Sequence, residues 1–198
     1  MNRYSWPLWL FFVLLPGLNW LLPADWGVEN GIIENFQLVF LVLPIGFLWQ
    51  YSRVKLPEWG GDAKSLCYGG MLFFVLLVGR ELSWGRALLA DGAGRVPEWS
   101  QMGFYGKIAH PLIGVLIAVL LVLLYRARIW SFVVRVWKLL PWPDLLLLLL
   151  FIAAQYVAEH LHCALWCGEV AEELSETGAY GVMAWVVWRT LKVFRENF

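Results

Sequence analysis

Charge is scarce in this chain. Asp, Glu, Lys and Arg make up 15% of its 198 residues, where a soluble domain carries about a quarter. Fifteen basic and fifteen acidic residues balance, with no basic stripe and no acidic tail. That excludes nucleic acid as a partner. Cysteine is rare as well: Cys67, Cys163 and Cys167 form an odd set, which argues against a disulfide-built fold. Polar linkers, low-complexity stretches and internal repeats are missing, so residues 1–198 read as one integral membrane domain. No small-x-small cleavage site cleanly follows the first apolar run, Trp6–Leu22, which therefore reads as a retained helix.

Apolar residues dominate instead, at 61% of the chain. Runs such as Leu112–Leu124 and Leu145–Leu150 carry no charge to present to water. A membrane-spanning helix needs about 20 mostly apolar residues. Six stretches meet this: Trp6–Leu22, Ile32–Trp49, Leu66–Trp84, His110–Tyr125, Asp144–Cys163 and Glu173–Arg189. The fourth is short unless residues 107–109 extend it, and the sixth begins with acids. The expected fold is all-α, a polytopic bundle of about six spanning helices. The 14 Trp residues suit interfacial belts. Ile129–Leu140 interleaves Trp130, Phe132 and Trp137 with Arg135 and Lys138, and reads as a short interfacial helix.

Basic residues orient the bundle. With a cytoplasmic N-terminus, the inner segments hold Arg3, Arg53, Lys55, Lys64, Arg126, Arg128, Arg135, Lys138, Arg189, Lys192 and Arg195. The outer loops hold only Arg86, Arg95 and Lys107. Eleven against three is a positive-inside bias, so both termini are expected in the cytoplasm of a bacterial-type cell, and the membrane is its inner one.

This topology sorts the unusual residues to the outer end. Glu29, Asn30 and Glu34 open the second helix; Arg80, Glu81, Ser83 and Arg86 close the third; His110 opens the fourth; Glu159, His160 and His162 close the fifth; Glu169, Glu172, Glu173 and Glu176 open the sixth. Ionisable residues within spans usually face the bundle interior. At 100° per residue, Glu169, Glu173, Glu176 and Tyr180 share one stripe, with Ala171, Leu174, Gly178 and Trp185 opposite. Gln155, Glu159, His162 and Trp166 share another, and Asn30, Glu34 and Gln37 a third.

Each group has two readings. Glu34, Arg80 and Glu81 either fix helix register as an ion-pair network or belong to a site. Glu169 and Glu172 fit a solvated helix N-terminus, where carboxylates suit the dipole; Glu173 and Glu176 sit deeper. His110 is either an interface residue or a ligand. The metal reading rests on Glu159-His160-Leu161-His162, a Glu-x-x-His step, and on Glu173 and Glu176 one turn apart. Helix bundles build carboxylate metal sites from such steps, usually two of them. Glu159, His162, Glu173, Glu176 and His110 are then the candidate ligands of a divalent metal, zinc or iron, whose bound water acts as nucleophile. Glu34 and Glu81 are candidate ligands or bases, and Arg80 and Arg86 candidate clamps for an anionic lipid headgroup. Cys163 and Cys167 could pair or add soft ligands. A thiol relay needs a second pair, and Cys67 lies near the other membrane face. The outer loop Ala87–Lys107 reads as an interfacial anchor or a lid.

Three blocks carry a resemblance. Glu29-Asn30-Gly31-Ile32-Ile33-Glu34 resembles the acidic opening of a group of uncharacterised small bacterial polytopic membrane proteins. Arg80-Glu81-Leu82-Ser83-Trp84-Gly85-Arg86 is similar to that group's Glu-Ile-Ser-Trp-Gly-type motif, with Leu82 and Arg86 as departures. Ala171-Glu172-Glu173-Leu174-Ser175-Glu176 resembles its closing Glu-Glu-x-x-Glu helix. The resemblance implies a shared site but no activity. A fainter analogy, to membrane hydrolases of the alkaline ceramidase and progestin-receptor-like class, implies zinc held by histidines and acids at one bundle end. The expected function is a metal-dependent, lipid-modifying membrane hydrolase. Proton- or cation-coupled transport and a non-catalytic scaffold are the alternatives. Membrane lipid is the expected partner, with a second copy or another membrane protein as further candidates.

Overall fold

The structure is a computed structural model. It describes residues 5–23, 26–27, 31–55, 61–89, 96–130, 133, 141–160 and 168–197. Glu29, Asn30, His162, Cys163, Cys167 and most of the 129–140 segment lie outside the described residues. The architecture is all-helical. Six α-helices stand among the described residues: α1 (Trp6–Leu21), α2 (Ile32–Lys55), α3 (Gly61–Glu81), α4 (Gly103–Arg126), α5 (Trp142–His160) and α6 (Glu169–Asn197).

Local chemistry explains the helix ends. Pro7 opens α1, where a missing N–H costs nothing. Trp142 and Pro143 follow Pro141, whose carbonyl accepts from the Asp144 and Leu145 amides. Asp62 stands in the first turn of α3 and Arg80 in its last. Glu169 and Glu172 lie in the first turn of α6. Each charge has the sign that the helix dipole favours. Gly168 precedes α6 at φ 105°, a left-handed conformation that costs glycine little.

Among the described residues four helical stretches are long and apolar enough to cross a membrane: Ile32–Arg53, Asp62–Glu81, Trp99–Arg126 and Trp142–His160. The remaining two helices differ from the expected spans. α1 has 16 residues, about 24 Å at 1.5 Å per residue, short of a hydrocarbon core of about 30 Å. α6 has the length, with 29 residues, but carries acids along its first two turns.

The chain divides into two compact units. Residues 1–40 and 141–198 form a terminal unit, and residues 41–140 a central one; α2 runs from the first into the second. In the terminal unit α6 packs against both α5 and α1. No residue of α6 from Val170 to Val187 is exposed. The stripe of Ala171, Leu174 and Gly178 is buried, and on the acidic stripe opposite so are Glu176 and Tyr180. The core comprises Leu15, Ile33, Leu147, Phe151, Val170, Leu174, Ala179 and Val182. Phe151 stands edge-on to Phe12, with ring centroids 5.1 Å apart. A Cβ on Gly178 would fall 2.2 Å from the Phe151 ring, so glycine is what lets α5 approach α6 there. In the central unit α3 packs on α4. Gly69 faces Leu123 and Leu124 at ordinary contact distance.

Candidate functional site

The enclosure of α6 decides where its acids go. Glu173 and Glu176 occupy its second turn, one turn apart. Gln37 of α2 is fully buried. Its Nε2 donates to the Glu173 carboxylate at 2.6 Å and to the Glu173 carbonyl at 3.1 Å. Glu176 is 6% exposed, and Tyr180 one turn on donates its hydroxyl to the Glu176 carboxylate at 2.8 Å. Ser175 and Thr177 turn their hydroxyls back onto the carbonyls of Ala171 and Glu173, each at 2.7 Å. The result is a polar ladder along one enclosed helix.

Both carboxylates thus accept from neutral donors. Paired carboxylates one turn apart on an enclosed helix are a donor set of the kind that helix bundles use for cations. The Gln37 Oε1 atom is buried and accepts no hydrogen bond among the described residues, which leaves a further oxygen beside Glu173. Glu34 precedes Gln37 by three residues on α2 and is half-buried.

The end of α5 differs from expectation. Its buried stripe is Leu147, Phe151, Ala154 and Ala158. Glu159 points elsewhere: its side chain is 54% exposed and lies 3.6 Å from Nδ1 of the equally exposed His160. The His160 ring stacks on Tyr156 at 4.4 Å. Of the polar stripe expected to face inward, Glu159 stands exposed and Gln155 is half-buried. Among the described residues no group of three or more His, Cys, Asp or Glu side chains is placed to hold a metal.

The remaining candidates, Arg80, Glu81, Arg86 and His110, belong to the central unit. Arg80 pairs with its neighbour Glu81 at 3.1 Å, the acid nearly buried and the base exposed. After α3 the chain makes a tight left-handed turn, with Ser83, Trp84 and Gly85 at φ 45°, 56° and 85°. Two non-glycine residues in that region carry strain. Three contacts hold the turn. The Trp84 ring lies where a Gly79 side chain would be. Tyr105 donates its hydroxyl to the Trp84 carbonyl. Arg86 donates to the Ser83 carbonyl at 3.3 Å and the Pro97 carbonyl at 3.1 Å. The Arg86 guanidinium also sits 4.5 Å over the Trp99 ring, and His110 meets Trp99 edge-on at 5.1 Å. The Arg80–Arg86 motif therefore builds a staple between α3 and the start of α4. Part of the 87–107 loop forms 3₁₀ turns at Ala87–Leu89 and Trp99–Met102, and Gly103 already begins α4.

No known family, no curated protein and no solved structure matches this chain. Its site is accordingly argued from its own geometry.

Sequence reasoning underweighted four residues. Gln37 was visible only as a member of the Glu34 stripe, and Tyr180 as the end of the Glu176 stripe. The other two are Asp144 and Arg189. Asp144 is fully buried, and Arg189 donates to its Oδ2 at 2.7 Å. Their signal was an acid at the head of the apolar run that begins α5 and a base in the last third of α6.

Proposed function

We propose that this chain is an integral protein of a bacterial-type inner membrane. Its activity resides in the Glu173 and Glu176 ladder with Gln37, Tyr180 and Glu34, at the expected outer end of the bundle. The ladder holds a divalent cation and serves hydrolysis at a lipid headgroup. The observation that supports this is the pairing of a fully buried Gln37 with Glu173 beside a buried Glu176: paired carboxylates one turn apart bind cations in helix bundles. The cation would supply activated water at neutral pH. The donors described at the ladder are all oxygen, which suits a harder ion than one held by thiolates.

The test is elemental analysis of the purified chain together with headgroup release from vesicles. The expected result is stoichiometric metal in the wild type, lost with the activity in a Glu173→Gln, Glu176→Gln double variant. Metal-free protein whose headgroup release survives chelation would remove the reading.

One observation favours transport as the second reading. Asp144 is a buried acid at the opposite end of the α5–α6 pair, so α6 has acidic partners near both ends. Cation uptake into proteoliposomes that collapses in both Glu176→Gln and Asp144→Asn would select it.

A further inference from the structure

A concavity with both charged and apolar walls lies in the central unit, where α3 begins and α4 ends. It is a cavity of about 750 Å³ walled by Leu121, Leu124, Tyr125, Arg126, Arg128 and Trp130, with Asp62 at its rim. Its size is that of a small-ligand site. The walls divide by chemistry. Leu121, Leu124 and Ile129 supply apolar wall, and Arg126, Arg128, Tyr125 and Trp130 supply charge and aromatic rings. Among the described residues Arg126 has no ion-pair partner.

Arg128 is held in place at a cost. The residue after a helix that turns left-handed is usually glycine, yet here φ is 49° at Arg128. Its amide donates to the Tyr125 carbonyl at 3.0 Å, and Ala127 is buried beneath it. This turn brings the Arg128 Nε to 4.0 Å from Asp62. At that distance, with both side chains mostly exposed, the pair is loose and leaves the rest of the guanidinium fork available.

From this we infer that the cavity binds the phosphate of an anionic membrane lipid. Arg126 and Arg128 hold the phosphate oxygens, Tyr125 and Trp130 flank the headgroup, and Leu121 and Leu124 receive the start of an acyl chain. Arginine forks match phosphate geometry. Tyr and Trp favour the headgroup level, and basic pockets between helices on the cytoplasmic side bind anionic headgroups. A free phosphate ester shares the oxygens but makes no use of the leucine wall. The inference rests on the membrane-spanning part of the proposed function alone, and is independent of the carboxylate ladder.

The experiment uses the full chain reconstituted in an equimolar mixture of phosphatidylglycerol and phosphatidylcholine. Retained lipids are then counted by native mass spectrometry. The wild type should retain phosphatidylglycerol in preference. Each arginine near a membrane surface is worth about fivefold in affinity, so Arg126→Gln and Arg128→Gly should each lower the preference about fivefold. Asp62→Asn should raise it. Arg128→Gly should not lower thermal stability, because glycine suits the left-handed turn. Arg53→Gln, whose guanidinium stacks on Trp49 outside the cavity, should change nothing. An unchanged preference in both cavity variants, or an equal fall in Arg53→Gln, would overturn the inference. So would displacement of the lipid by glycerol phosphate, which would assign the site to a soluble phosphate ester. Retained phosphatidylcholine without a preference leaves the membrane reading standing; retention of neither lipid removes both.

Discussion

Helices α4 and α6 obey opposite rules. The stretch containing α4 is the most apolar of the four span-length stretches, with a mean hydropathy of 2.6 and only 6% of it buried. Leu112, Val115, Val119, Leu121 and Val122 all stand exposed. α6 carries Glu169, Glu172, Glu173 and Glu176 in its first two turns, yet nothing from Val170 to Val187 is exposed. In a water-soluble protein the pattern would be reversed. Here the apolar helix faces outward and the polar helix is wrapped by α1 and α5. This is what a lipid solvent selects, because lipid satisfies leucine and leaves a carboxylate to find its partners inside.

The largest expected effect comes from the enclosed side. Arg189→Ala strands Asp144 without its counter-charge, and breaking a buried pair in this way costs about 3–5 kcal/mol. Reversible unfolding in mixed micelles reads it. A cost below about 1 kcal/mol would mean that α6 is not sealed at that end, since exposed pairs are worth no more than this.

Next comes the outward side. Val115→Asp puts a charge at the middle of the exposed face of α4, and a charged residue at a helix centre opposes insertion by about 3 kcal/mol. An insertion assay on α4 measures it. Free insertion of the variant would show that α4 faces water, and the contrast with α6 would dissolve.

The smallest effect sharpens the contrast through packing. Gly178→Ala forces a methyl into the Phe151 ring, and overpacking of this kind costs about 1–3 kcal/mol. Leu112→Ala on α4 removes far more volume, yet should stay within about 0.5 kcal/mol because the site is exposed. The same unfolding measurement compares the two. Equal costs would contradict the burial difference.

Particular residues show how far sequence reading reaches. The helices announce themselves by runs such as Leu112–Leu124, because a helix satisfies its polar backbone within one segment when water is absent. Tight turns do not: nothing in Ser83-Trp84-Gly85 says that three residues turn left-handed, or that Arg86 closes the turn with carbonyls. The face of α5 is not legible either: polar spacing places Glu159 inward, whereas Ala154 and Ala158 are the buried residues there and Glu159 stands exposed. Gln37 looked like a bystander to Glu34, because a hydrogen bond across 136 residues leaves no trace in local spacing.

By itself the sequence determined the helices. Its scarcity of charge and its long apolar runs specify helices of spanning length, and the distribution of lysine and arginine proposes their orientation. Tertiary structure decided which helix is enclosed, which acids gain partners and which stay outside. Hydrophobicity is a property of each residue, whereas burial is a property of neighbours, and neighbours such as Gln37 with Glu173 or Asp144 with Arg189 come together only when the chain has folded.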